Sequence, residues 1–195
     1  DWSSDVCSSD LLVVTSGGAP LAGVTSVTAG LGITCAVVAG AAEFWGDATS
    51  GQLGIGSISS LGSCDDVDVL ECSRNPVELP ALRSGVKEIS ATHSGVQNAC
   101  ATLLSGGVRC WGYNELGQLG DGTTVTRWAP TSVVRNSGGL LASATSVVVD
   151  AHQACALVLV GEVMCWGRNS LGQLGTGSSS GPDRSEEHTS ELQSR

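Results

Sequence analysis

The side chains in this 195-residue sequence that could carry chemistry are eight cysteines, three histidines and one run of acids. Six of the cysteines fall into close pairs, Cys64/Cys72, Cys100/Cys110 and Cys155/Cys165, while Cys35 stands alone. Residues ten apart across a short glycine turn sit nearly opposite on antiparallel strands. Facing Cβ atoms there are about 4.5–5.5 Å apart, so a disulfide needs only modest adjustment. The pairing points to disulfides and an oxidising compartment. The competing reading is a set of buried free thiols in the cytosol, where Cys packs as a small hydrophobe. With no Cys-x-x-Cys and no Cys/His cluster, no zinc site is expected.

The remaining candidates for chemistry are weaker. His93 and His152 are isolated, and a lone loop histidine is far more often structural or exposed than catalytic. Asp65, Asp66, Asp68 and Glu71 could offer hard oxygens to Ca²⁺. They lack the spaced Asp/Asn-Gly loop of a calcium site and read better as a solvated acidic loop. The glycines of residues 51–56 lack the Lys-Ser/Thr of a phosphate loop, which makes them turns. Trp128, beside Arg127, is either a contact residue or an edge-strand Trp packed on the next structural unit. No catalytic, cofactor-binding or metal-ligating residue is expected.

The elements that hold these residues are short strands. The chain has 27 Gly, one Met and a single Lys, which suits strands joined by tight turns rather than a helical bundle. Nine Lys+Arg against 19 Asp+Glu give a net charge of −10 and cannot build the basic stripe that nucleic acid requires. No apolar stretch reaches the length of a transmembrane helix, so no membrane insertion is expected. At 41% hydrophobic the chain can bury a core.

Both ends resemble translated sequencing adapter. Residues 184–195 back-translate to a common short-read adapter, and residues 1–11 read as its reverse complement in another frame. Setting these tails aside removes six acids and two bases and leaves a net charge of −6. The reading expects residues 12–183 to be an internal fragment of a longer protein.

Within residues 12–183 one unit recurs three times. It runs Cys-Ala, an apolar stretch, a small turn, Trp-Gly, then Gly-Gln-Leu-Gly. The first copy holds Cys35, Trp45-Gly46 and Gly51-Gln52-Leu53-Gly54. The second holds Cys100, Cys110, Trp111-Gly112 and Gly117-Gln118-Leu119-Gly120. The third holds Cys155, Cys165, Trp166-Gly167 and Gly172-Gln173-Leu174-Gly175. Phe44 stands where the first copy should have its second cysteine, which accounts for the unpaired Cys35. The units divide approximately as 12–75, 76–129 and 130–183, with an insertion over 55–75. From Ile89 to Cys100 is longer than the matching stretch in the other copies, so Thr92, His93 and Ser94 should extend a loop. Strands 100–104 and 108–111 flank a Ser-Gly-Gly turn and read as a hairpin, as do 155–160 and 163–166. Asn114 and Asn169 suit turns. The Leu of Gly-Gln-Leu-Gly should point inward, and its Gln should satisfy backbone groups at a corner. Four short strands per unit of about fifty residues is the economy of a propeller blade.

These units closely resemble the repeat of the regulator-of-chromosome-condensation family, a seven-bladed β-propeller; residues 117–123 match its Gly-Gln-Leu-Gly-Asp-Gly-Thr without a gap. The Cys-rich form resembles bacterial members. The family's His two residues before Cys-Ala is replaced by Ile33, Asn98 and Gln153. The resemblance implies an all-β fold, a partial propeller of about three blades, the remaining blades being absent. It also implies a non-enzymatic scaffold that presents loops to an unidentified protein partner, secreted, periplasmic or on the cell surface, with a cytoplasmic setting still open. One alternative is guanine-nucleotide exchange on a small GTPase; a second is a propeller-based enzyme. Open blade flanks should leave such a fragment unstable or associating.

Overall fold

The computed structural model describes residues 12–57, 62–64, 71–93, 95–179 and 188–190. Each unit folds into one antiparallel sheet. The first contains β1 (Val24–Ala29), β2 (Ile33–Val38), β3 (Ala41–Asp47), β4 (Gly62–Ser63) and β5 (Glu71–Glu78), in the order β1-β2-β3-β5-β4. The second contains β6 (Val86–Ala91), β7 (Asn98–Leu103), β8 (Val108–Gly112) and β9 (Arg127–Ser132), in chain order. The third contains β10 (Ala144–Asp150), β11 (Gln153–Val158), β12 (Val163–Gly167) and β13 (His188–Ser190), also in chain order. The sheets are three blades of a partial β-propeller. Among the described residues no helix is long and apolar enough to cross a membrane.

The first strands of the blades, β1, β6 and β10, follow one another across the blade boundaries, with β6 packed on β1 and β2 and β10 packed on β6 and β7. Each carries a register shift at the same place, after Val24, Val86 and Ala144. The extra residues are Thr25, Lys87 and Thr145, and a bulge of this kind re-aims the side chain it carries.

The apolar core lies between blades. One cluster joins Cys35, Val37 and Phe44 of the first blade to Ile89, Ala99, Ala101 and Trp111 of the second. The next joins Cys100, Cys110 and Leu119 to Val147, Ala154, Ala156 and Trp166. Each hairpin therefore offers its cysteine side to the following blade and its small Ala side, with the Trp, to the preceding one. At about 25 cal/mol per Å², a buried Trp of roughly 200 Å² contributes about 5 kcal/mol before entropy is counted.

The sheets divide later than the sequence units do. β5 crosses position 75/76 and β9 crosses 129/130, because each blade takes its outer strand from residues beyond its Gly-Gln-Leu-Gly turn. Pro76 and Pro130 sit inside these outer strands rather than ahead of them, which suits a residue that cannot donate to a ladder. In the third blade the place of the outer strand is held by β13, within the tail set aside above. The connection between β6 and β7 spans residues 92–97, against 151–152 between β10 and β11, so the second unit has the longer loop. Asp65, Asp66, Asp68 and Ser94 lie outside the described residues.

Candidate functional site

The Trp-Gly and Gly-Gln-Leu-Gly segments meet at the blade boundaries. After each hairpin the glycine following Trp takes a positive φ, 100° at Gly112 and 101° at Gly167. A Cβ there would stand 2.5 Å from the carbonyl oxygen of Gln97 or His152, so only glycine lets the chain leave the strand here. Asn114 then organises the turn: its Oδ1 accepts from the Leu119 amide at 2.9 Å, and its Nδ2 donates to the Thr123 and Val125 carbonyls. Asn169 repeats this with Leu174 and Ser178. In the first blade the equivalent residue is the buried Ala48.

The turn presents its main chain to the next blade. Trp111 Nε1 donates to the Gln52 carbonyl at 2.8 Å, and Trp166 Nε1 donates to the Gln118 carbonyl at 3.0 Å. The fourth residue of the turn lies against the indole; a Cβ on Gly54 or Gly120 would be 2.7 Å from that nitrogen. The Gln side chain has two partners. Gln118 Oε1 accepts from Leu116 N in its own turn, and its Nε2 donates to Ala151 O of the third blade at 3.1 Å. Gln52 accepts from Ser50 N and meets Gln97 Oε1 across the boundary. The longer second loop places that Gln97, whose own Nε2 donates to Asp47. Leu53, Leu119 and Leu174 are all buried. Gln173 accepts from Leu171 N, but Gly172, Gln173 and Gly175 have no following blade and are half-buried or exposed.

The cysteine pairs occupy facing positions. Cys100 faces Cys110 and Cys155 faces Cys165, each pair disulfide-bonded with Cα atoms 4.1 Å apart, the spacing of a non-hydrogen-bonded antiparallel pair. Cys64 and Cys72 are joined with Cα atoms 5.8 Å apart and tie β4 to β5. Cys35 faces Phe44, whose ring meets Trp111 edge-on at 5.3 Å, so an aromatic ring fills the volume that a disulfide fills in the other blades. Burial pushes the Cys35 thiol well above the ordinary cysteine range, which makes it inert.

A groove of about 310 Å³ opens at the opposite ends of the strands, between the second and third blades. Its walls are Leu104 and Leu159, both exposed, each four residues after the cysteine of its hairpin. Their amides donate to Gly85 O and Ser143 O at 2.8 Å, which fixes the two turns. The corresponding residue of the first blade is Ala39. Lys87, at the bulge, is the charged residue of the lining. Thr25 and Thr145 satisfy their bulges within their own hairpins, through Val37 O and Leu157 O. Lys87 instead reaches across to Thr145 O at 2.6 Å. Sequence reasoning passed over Lys87, although it is the one lysine of the chain. The groove offers apolar walls, turn backbone and one ammonium, a set that binds rather than one that moves protons.

The other candidates do not assemble. His93 is exposed and His152 half-buried. Among the described residues no group of three His, Cys, Asp or Glu is placed to hold a metal ion. Trp128 packs on the preceding blade: a Cβ on Gly51 would be 3.1 Å from its ring, and Gly56 N donates to its carbonyl at 2.7 Å. Its neighbour Arg127 pairs with Asp121 at 2.6 Å. Burial would raise the Asp121 carboxyl, but hydrogen bonds from Thr123 and Arg127 outweigh this and hold it below the ordinary range.

The regulator of chromosome condensation (RCC1) repeat model matches residues 105–157. That segment begins in the second blade's hairpin and ends in the third blade's, so the sequence repeat straddles two sheets. The Arabidopsis thaliana ultraviolet-B receptor UVR8 is 32% identical over 134 residues, covering 68% of this chain and 27% of the receptor. The human E3 ubiquitin-protein ligase HERC2 is 32% identical over 128 residues, covering 65% of this chain and 3% of the ligase. The crystal structure of Prp20p from Saccharomyces cerevisiae, described with its binding properties to Gsp1p and histones, superposes with a TM-score of 0.62 at 18% identity. The match covers 86% of this chain and 38% of Prp20p. The chain thus spans less than half the length of each of these proteins.

Proposed function

The chain belongs to the regulator of chromosome condensation repeat family, and we propose that it is a non-enzymatic scaffold holding a protein segment in the groove between its second and third blades. The observation that carries this reading is Lys87, an exposed ammonium set by a bulge between two apolar turn residues. Rigid blades fix the turns, and the turns carry the contacts. The ligand that fits is an extended segment with a large apolar side chain beside a carboxylate: the side chain covers Leu104 and Leu159, and the carboxylate meets Lys87. Repulsion from an acid-rich surface elsewhere favours this one place for an anionic group.

The cysteine pairs support an exported, oxidising setting for the scaffold. The likeness to Prp20p is one of fold, and no exchange residue is assigned to any position here.

Selection of random displayed peptides on the immobilised full chain tests the reading. The expected winners pair Leu, Ile or Phe with a nearby Asp or Glu, and Lys87→Glu shifts the preference to Lys or Arg. An unchanged preference on Lys87→Glu contradicts it.

A further inference from the structure

The two ends of the blade stack carry opposite halves of one interface. Val27, Ile89 and Val147 hold the same place in their blades, opposite Ala36, Ala101 and Ala156. Ile89 is 7% exposed and Val147 3%, because a preceding blade covers each; Val27 is 66% exposed. Trp111 and Trp166 are buried, whereas Trp45 is half-buried. At the other end, Val37, Thr102 and Leu157 each follow the hairpin cysteine by two residues. The first two are buried under the next blade, and Leu157 is 44% exposed. An indole lies against Gly54 and Gly120, but nothing lies within 4 Å of where a Cβ on Gly175 would stand.

We propose that a second copy of this chain docks head to tail, its Val27 and Trp45 seated on Leu157, Val148 and the Gly172–Gly175 turn. The contact continues one already made twice inside the chain. The occupant must carry an indole and an inner-strand apolar residue at the spacing of this repeat, both uncovered, and the first blade of another copy does so. The indole of Trp45 then donates to the Gln173 carbonyl, as Trp111 and Trp166 do to Gln52 and Gln118. Such a contact is heterologous: each copy uses a different face.

Sedimentation of the full chain over a concentration series tests this, together with Val27→Glu and Leu157→Glu. Both substitutions fall on exposed side chains, so circular dichroism should match the parent. A carboxylate left unpaired in the closed interface should weaken self-association roughly 100-fold or more. Each variant alone should therefore stay monomeric where the parent associates. An equal mixture should form a one-to-one dimer, since Leu157→Glu keeps the leading face and Val27→Glu keeps the trailing face. A parent that is monomeric throughout overturns the proposal. So do variants that associate as the parent does, or a mixture that stays monomeric.

Discussion

Trp111 donates its indole N–H to the main-chain carbonyl of Gln52, 2.8 Å away and one blade back. Trp166 does the same to Gln118. Because the acceptor is backbone, the bond depends on the shape of the Gly-Gln-Leu-Gly turn rather than on a partner side chain. That is why the turn is kept while the strands around it vary. The same bond sets the angle between blades, and with it the distance between the hairpin turns that wall the groove.

Trp166→Phe should keep most of the ring contact and leave the Gln118 carbonyl without its donor, costing about 1–3 kcal/mol in urea unfolding. Gly120→Ala should cost more than Gly175→Ala. Both sites have positive φ, 64° and 73°, but only at Gly120 does a Cβ meet an indole. Equal losses at the two glycines would contradict the clasp.

Unreduced peptide mapping should recover Cys64–Cys72, Cys100–Cys110 and Cys155–Cys165, with Cys35 unmodified by alkylating reagent until the chain unfolds. Reduction should remove roughly 2–3 kcal/mol per ten-residue loop on the chain-entropy account. Phe44→Cys should add a crosslink to Cys35, since the two positions face each other. Free thiols at Cys100 and Cys110 would remove the argument for an oxidising compartment.

Much of this was legible because it is local. The hairpin expected over 100–104 and 108–111 forms as β7 and β8, and Leu119 turns inward as its flanking glycines suggest. What could not be read depends on contacts across blades. The partner of Trp111 is 59 residues earlier. The bulge at Lys87 is a property of β6 and β7 together, so a single strand does not show it. Phe44 read as a missing cysteine, and only its contact with Trp111 shows what it replaces. Trp128 packs backward onto Gly51 because the outer strand runs past the preceding turn.

The Asp121 carboxyl titrates below its ordinary value in the folded chain. Its contribution is therefore fully present above the unfolded value of about 3.9 and fades as the pH falls through the lower folded value. Asp121→Asn should cost about 1–3 kcal/mol near neutral pH through its bonds to Thr123 and Arg127. The gap to the parent should close below about pH 4. A gap that is constant down to pH 2 would assign the loss to packing instead.

A small GTPase loaded with fluorescent guanine nucleotide should release it at its basal rate when this chain is added. Acceleration would favour the exchange reading over the binding scaffold.

The most direct test is an amide-shift titration of the isotopically labelled chain with a short peptide pairing Leu and Asp. The perturbed amides should cluster at Leu104, Gly106, Ala144 and Leu159, and Lys87→Glu should abolish the shifts. Shifts confined to the Gly-Gln-Leu-Gly turns, or insensitive to Lys87→Glu, would contradict the placement of the binding site.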